Sequence, residues 1–289
     1  MQGMKRKIDV MDLITYTLLV VFTIACIYPV WYVLAASFSN GTELAKHPGF
    51  LLWPKNFTTG AYSMVFQNPL IMNGLKNSIK ILLYGLPINM VMTILCGYFL
   101  ACSGMRLKKP ITAMIMFTMF FSGGMIPGYL NVKDLGLYDK IWALVLPGAL
   151  NVYNAIICKT AIESIPSSLS ESAYLDGAND FQVLWKIIVP LIKPTLAVLL
   201  LYYGVGHWNS WFNASIYIWD NANLPVQNVI RSIMLANQEL SGTAGDTYNA
   251  YAETIKYAAC VITTVPIMCV YPFLQKCFTK GVMIGAVKG

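Results

Sequence analysis

Residues 171–194 read ESAYLDGANDFQVLWKIIVPLIKP, a charged stretch interrupted by one glycine and closed by two prolines. The runs on either side, 141–158 and 194–219, contain no Asp, Glu, Lys or Arg. Pro166-Ser167-Ser168 signals a helix start, with Ser167 or Ser168 as cap. That helix carries Glu171, Ala173 and Leu175 and stops at Asp176-Gly177, because glycine tolerates the left-handed backbone of a helix stop. A second helix starts at Asn179 or Asp180, and its Phe181, Leu184, Trp185 and Ile188 recur at i, i+3, i+4 and i+7 on one face. Pro190 and Pro194 then break it. The expectation is a helix–turn–helix elbow, one arm presenting the Glu171 carboxylate and the other an apolar stripe. A helix resting in lipid headgroups would carry a basic polar face. This elbow sets Glu163, Glu171, Asp176 and Asp180 against Lys186 and Lys193, which fits a protein partner better.

Outward from the elbow the chain is made for lipid. Of its 289 residues 57% are hydrophobic and 11% charged, where a soluble domain carries about 25% charged residues. A bilayer core of about 30 Å needs roughly 20 apolar residues in a helix. Six stretches meet that need: 13–38, 79–102, 111–130, 141–158, 194–219 and 257–275, none with a carboxylate and with Lys80, at the edge of the second, their one charged side chain. The third and fourth are short and rich in Gly and Pro (Gly123, Gly124, Pro127, Pro147, Gly148). The run 13–38 is too long for a cleaved leader and reads as a retained span. An even number of spans puts both termini on one side, with Lys5-Arg6-Lys7, Arg106-Leu107-Lys108-Lys109, the elbow and Lys276, Lys280 and Lys288. Loops 39–78, 131–140 and 220–256 then lie outside, the asymmetry expected of cytoplasmic basic residues.

The net charge of +7 sits beside the spans and not in a basic run interleaved with aromatics, which argues against nucleic acid. The 7 cysteines lie in or next to apolar runs without metal spacing and read as small apolar side chains. No G-x-x-x-x-G-K-[ST] occurs, so the chain has no P-loop with which to hydrolyse ATP. With His47 and His207 the only histidines and no nucleophile–base pair in view, the chain is not read as an enzyme. His207 reads as a packed polar residue tying helices together. An ion-coupled secondary sugar transporter is the alternative. Spans without a carboxylate argue against proton coupling, but sodium held by backbone carbonyls stays open.

The elbow resembles the cytoplasmic motif of binding-protein-dependent ATP-binding-cassette (ABC) importers, written EAA, three residues, G, nine residues, I-x-L-P. Here it runs Glu171-Ser172-Ala173, Tyr174-Leu175-Asp176, Gly177, nine residues, then Ile187-Ile188-Val189-Pro190, with Ser172 for Ala and Val189 for Leu. The fuller form E-x-A-x-x-D-G-A, Asn77-Ser78, and Phe273-Leu274-Gln275-Lys276 with Lys280-Gly281 are similar to the carbohydrate branch that includes the smaller maltose-type permease. The resemblance implies an all-α type I ABC importer permease fold: an integral membrane bundle of six transmembrane helices with a cytoplasmic coupling helix. Its layout would be a cytoplasmic N-terminus (1–12), first span and outer loop (13–76), a permease core (77–276) with elbow 160–190, and a cytoplasmic tail (277–289). The elbow residues Glu171, Ala173, Asp176, Gly177, Ala178, Phe181 and Pro190 would couple to an ATPase, Glu171 pairing with a basic residue there.

The implied partners are a second permease subunit in a heterodimer, two copies of a cytoplasmic ATPase and an extracytoplasmic substrate-binding protein received by the outer loops. The chain itself would bind no cofactor, ATP and Mg residing on the ATPase. It would form half of a path for an oligosaccharide or polysaccharide fragment, working by alternating access in a bacterial cytoplasmic membrane with both termini inside. Tyr203, Trp208, Asn209, Trp211 and Asn213, with Asn151, Tyr153 and Asn154, are the candidate path residues, since rings stack on sugar faces and amides bond hydroxyls. The competing reading of the same residues is an interfacial aromatic belt and helix packing.

Overall fold

The computed structural model describes residues 10–46, 49–102, 107–240 and 254–269, and every regular element among them is helical. Lys5-Arg6-Lys7, His47, Arg106, Cys277, and the tail with Lys276, Lys280 and Lys288 fall outside the described residues, as do 241–253 and the end of the sixth apolar run.

Helix α1 (Val10–Ser37) is apolar around its circumference, and its 28 residues reach about 42 Å, longer than a bilayer core. Its threonines leave no free proton for lipid. The hydroxyls of Thr15, Thr17 and Thr23 donate to the carbonyls of Met11, Leu13 and Leu19 at 2.8, 2.8 and 2.7 Å. Short helices α2 (Gly41–Lys46) and α3 (Gly60–Gln67) follow. Helix α4 (Pro69–Ala101) is the other uninterrupted span, its 33 residues reaching about 50 Å. It starts well before the sequence-predicted 79, at a proline whose missing N–H costs nothing in a first turn. Asn77 and Ser78 in its early turns are buried, which marks them as helix-packing residues and not loop.

The remaining runs are broken. The predicted span 111–130 is instead two helices, α5 (Lys108–Phe120) and α6 (Met125–Asp134), meeting at 113° across Phe121-Ser122-Gly123-Gly124. Two successive glycines carry the lowest helix propensity after proline, so the chain turns there. The predicted span 141–158 holds one helical turn, α7 (Trp142–Val145), then leaves the helix and re-forms as α8 (Val152–Glu163). Pro147-Gly148 removes one donor and weakens the next turn. Then come α9 (Ser167–Leu175), α10 (Asp180–Leu191) and α11 (Lys193–Trp208), the last two bent by 83°. The predicted span 194–219 ends as a helix at Trp208, and α12 (Phe212–Tyr217) follows a break. Helices α13 (Val226–Leu240) and α14 (Thr254–Cys269) complete the described chain. Two single helices and two bent pairs are therefore long and apolar enough to cross a membrane, and α14 is a shorter apolar helix.

The described residues form two compact units. One lies within Met1–Asn68 and Ile230–Thr264, the other within Pro69–Val229 with residues from Val265 on. In the first, Ala35, Ala36, Leu44 and Leu51 form a small core against Tyr32 and Tyr257. Tyr28 of α1 stacks on Phe50 with ring centroids 4.3 Å apart. In the second, α4 packs along α8 and α11. A Cβ at Gly97 would lie 2.8 Å from Cys158 Sγ and 3.2 Å from the Lys159 backbone nitrogen, so the absence of a side chain sets the α4–α8 separation. On the far side of α11, a Cβ at Gly206 would meet nothing within 4 Å.

Gly97→Ala is expected to lower the thermal unfolding midpoint in detergent, with a cost of about 1–3 kcal/mol from overpacking. Gly206→Ala is expected to leave it unchanged or raise it. Thermal melts of both variants, followed by intrinsic fluorescence, test the assignment.

Candidate functional site

The elbow is built by two helix ends meeting at one glycine. Pro166, with extended backbone (φ −56°, ψ 129°), leads into α9, so Ser167 and Ser168 are its first helical residues. Neither is the N-cap expected from the sequence. At the other end Gly177 has φ +83°. Its N–H donates to the Tyr174 carbonyl at 3.0 Å, and the Ala178 N–H to the Ala173 carbonyl at 2.9 Å. This pair of bonds is a Schellman stop, which satisfies two otherwise orphaned carbonyls and requires left-handed backbone. No atom crowds the site of a Cβ at Gly177, so backbone conformation and not space selects glycine.

The second arm starts at Asn179, which the sequence had paired with Asp180 as alternatives. Asn179 Oδ1 accepts the Gln182 N–H at 2.8 Å while Gln182 Oε1 accepts the Asn179 N–H at 3.1 Å, a reciprocal capping box. Residues Val183–Ile188 then form a wider π turn. That turn re-aims the side chains. Val183, Leu184 and Ile188 point inward onto Ile94, Ile162 and Leu199. Phe181, expected on the same stripe, is 67% exposed and meets the half-buried Trp185 ring at 6.0 Å. Pro190 lies in the last turn of α10 and is exposed; the bend itself falls at Ile192.

The elbow thus has an inner and an outer side. Ala173, 9% exposed, faces the core, where a small side chain lets the arms close. Glu171, Asp176 and Gly177 are exposed, and Leu175 is 90% exposed. Glu171 and Leu175 are four residues apart and share one helical face. Glu171 makes no ion pair with any described residue; the two ion pairs found are Lys46–Glu43 and Lys159–Glu163. An unmatched carboxylate beside a bare leucine is what a protein surface offers a partner with a cation and an apolar hollow. The sequence reading placed Leu175 on the helix but not at its tip; its position four residues after Glu171 was the available signal. Tyr174 donates to Asp180 Oδ1 at 2.6 Å, and that hydrogen bond holds the phenol above its usual range.

A second polar feature lies on α4. Asn89, fully buried, donates from Nδ2 to the carbonyls of Gly148 and Ala149 at 2.8 and 3.0 Å, and its Oδ1 meets His207 Nε2 at 2.7 Å. One turn on, Thr93 shares a 2.7 Å hydrogen bond with the Tyr203 hydroxyl, which also accepts the Asn151 N–H at 3.0 Å. The unwound residues 146–151 therefore find their partners on α4 and α11. Sequence reasoning missed Asn89 and Thr93; two polar residues four apart inside an apolar run were the sign. Of the path candidates, Tyr203, Trp208 and Asn154 are buried in packing, and Asn151 caps α8 by accepting the Asn154 N–H at 3.1 Å. Tyr153, Asn209, Trp211 and Asn213 remain exposed. Among the described residues no group of three or more His, Cys, Asp or Glu could hold a metal ion.

The geometry can be set beside known proteins. Residues 77–284 match the family described as "Binding-protein-dependent transport system inner membrane component". The chain is similar to the polygalacturonan/rhamnogalacturonan transport system permease protein YtcP of Bacillus subtilis, 38% identical over 281 residues covering 96% of this chain and 98% of the relative. It is similar to Protein LplC of the same organism, 44% identical over 266 residues covering 91% and 90%. Its fold is similar to a chain in the crystal structure of a bacterial ABC transporter involved in the import of the acidic polysaccharide alginate, with a TM-score of 0.86, 31% identity, and coverage of 96% and 99%.

Substitutions at Gly177 are expected to loosen the turn in the order Asn, Ala, Val, since Asn visits left-handed backbone most readily and a β-branched residue least. The readout is amide hydrogen exchange at Ala178, whose bond to Ala173 closes the turn. Ala is expected to accelerate it by about 5- to 30-fold, the equivalent of 1–2 kcal/mol.

Proposed function

The chain belongs to the binding-protein-dependent transport system inner membrane component family, and from that premise we propose that it is a permease subunit of an ATP-driven importer of oligosaccharides or polysaccharide fragments. The observation that carries the reading is the outer face of the elbow: Glu171 without a cation among the described residues, beside the exposed Leu175, on a turn whose opposite side is locked into the core. A lever fixed at its base and bare at its tip can receive a push. The names of the relatives, polygalacturonan/rhamnogalacturonan transport and alginate import, support the substrate class.

In this reading each elbow residue has a physical task. Glu171 makes a charge-assisted bond to a basic residue of a separate ATPase subunit. Leu175 and Phe181 enter apolar hollows around it. Ala173 keeps the arms close, Asp176-Gly177-Ala178 form the reversal, and Pro190 helps end the second arm before α11. ATP and Mg stay on the ATPase. Closure of two ATPase copies moves the elbow, and the permease pair switches between inward- and outward-facing states. A second permease subunit supplies the other half of the path, and an extracytoplasmic binding protein delivers substrate. The chain sits in the bacterial cytoplasmic membrane, multi-pass, with both termini inside. Asn151, Tyr153, Asn209, Trp211 and Asn213 are the exposed path candidates that would meet sugar hydroxyls and ring faces, with Tyr203, Trp208 and Asn154 packed behind them.

Glu171→Lys and Leu175→Asp are each expected to reduce the ATPase that co-purifies in mild detergent by about 10-fold or more, as loss of an interface hot spot does, while membrane insertion is unchanged. Wild-type levels of co-purifying ATPase in both variants would end the assignment. Uptake into proteoliposomes loaded with ATP, without any ion gradient, separates this reading from an ion-coupled transporter. Neutral and acidic glycan fragments compared as stimulators of ATP hydrolysis identify the substrate class.

A further inference from the structure

Across the elbow's turn lies an exposed polar contact, apart from the apolar side that anchors the arms. Across the turn, Tyr174 donates to Asp180 Oδ1 at 2.6 Å. Tyr98, one turn from the end of α4, reaches both groups. Its hydroxyl lies 3.3 Å from the Tyr174 hydroxyl and 3.5 Å from Asp180 Oδ1. Three helices, α4, α9 and α10, thus meet at three polar side chains. Asp180 is not consumed by capping, because Asn179 caps α10. The elbow is already packed through Ala173, Val183, Leu184 and Ile188, so the hydroxyls are not required to fill space. Apolar packing resists separation but tolerates sliding and rotation. Directional hydrogen bonds fix orientation.

The position of Tyr98 along α4 gives this contact its meaning. Thr93 and Asn89 lie five and nine residues back, about 7.5 and 13.5 Å along the same helix. They hold the backbone of 148–151 directly and through Tyr203. We propose that Tyr98, Tyr174 and Asp180 form a positioning clamp that makes the elbow and α4 move as one rigid body, so that displacement of the elbow reaches the unwound segment 146–151 through α4. The proposal rests on the reading of the elbow as the docking site of an ATPase. These three residues touch neither the ATPase nor the sugar; they set how much of the elbow's motion is delivered.

The test uses the chain assembled with its partner permease and ATPase in lipid nanodiscs. Spin labels at Ser172, on the elbow, and Leu146, exposed at the start of the unwound segment, report the distance between the two without nucleotide and with ATP plus vanadate. In the otherwise wild-type complex the distance distribution is expected to be narrow and to stay in place when nucleotide binds, as one rigid body requires. Tyr98→Phe and Tyr174→Phe, which keep the rings, are expected to broaden it while the ATPase still co-purifies. In vesicles, uptake of polygalacturonan and alginate fragments per ATP hydrolysed is expected to fall by about 2- to 10-fold, the equivalent of one such hydrogen bond. The double Phe variant is expected to be no worse than the poorer single variant, because both remove one shared contact. Narrow, wild-type distributions in both Phe variants, or a nucleotide-driven change of distance in the wild type, would overturn the clamp. Loss of the ATPase from the Phe variants would also overturn it, by moving the hydroxyls into the docking face. Failure of the wild type to hold any ATPase sinks the docking reading instead, and broadening in the Phe variants then still reports the contact.

Discussion

At two places where the second unit's backbone leaves the helix, around 146–151 and 222–226, side chains of α4 supply the missing hydrogen bonds, and the packing of that unit depends on this. In hydrocarbon no water can take the place of a lost backbone partner, and each unsatisfied group costs several kcal/mol. Asn77 Nδ2 donates to the carbonyls of Ala222 and Leu224 at 2.8 and 3.2 Å, and Ser78 Oγ accepts the Val226 N–H at 3.0 Å. Asn89 serves the carbonyls of Gly148 and Ala149, and Thr93 orients the Tyr203 hydroxyl that takes the Asn151 N–H. The buried positions 77, 81, 85, 89, 93 and 97 recur every four residues, so one ridge of α4 meets broken backbone at 77 and 89 and packs against α8 and α11 at 85, 93 and 97. The breaks are not defects in spans but places where two elements have been made interdependent.

The same economy shapes the elbow. A helix that ends in a Schellman stop and a helix that begins in a capping box need no help from outside to hold their turn. Local bonds therefore define the bend, and the apolar side of each arm is free to anchor it. The π turn Val183–Ile188 completes the arrangement, since its extra residue rotates Val183, Leu184 and Ile188 onto the core and leaves Phe181 outside. Such turns are rare and cluster at functional sites. Here the cost of the irregular turn goes with an exposed ring beside an exposed carboxylate-bearing arm.

Family membership and these two features fit one mechanical picture. In the proposed importer a movement is transmitted over a distance, and transmission needs stiff parts joined at defined points. The uninterrupted α4 is stiff along about 50 Å. It packs against the elbow's cluster through Ile94 near one end and holds the unwound segment 146–151 through Asn89 and Thr93 further along. His207, read from the sequence as a packed polar residue, is such a joint, tied to Asn89 at 2.7 Å.

Sequence alone determined the class of this protein and the logic of its elbow, because both are written in local chemistry. A chain with so few charges must meet lipid. Asp176-Gly177 must reverse a helix, and Asn179 followed three residues later by Gln182 must start one. The family motif at Glu171, Gly177 and Pro190 rests on the same short-range signals. What the tertiary structure decided is where continuity fails. Apolar composition reports how well a segment tolerates lipid, not whether its backbone stays helical, so 111–130 and 141–158 read as spans although each is broken. A break at Gly148 is sustainable only because Asn89, 59 positions away, is there to meet it. Phe181 likewise looked like one of four residues on a single presented stripe, since a 3.6-residue period was assumed where the chain takes a wider turn and Val183, Leu184 and Ile188 face the core instead. Interactions between residues distant in sequence carry no local signature, and those are the ones that fixed the breaks, the polar ridge of α4 and the outward face of the elbow.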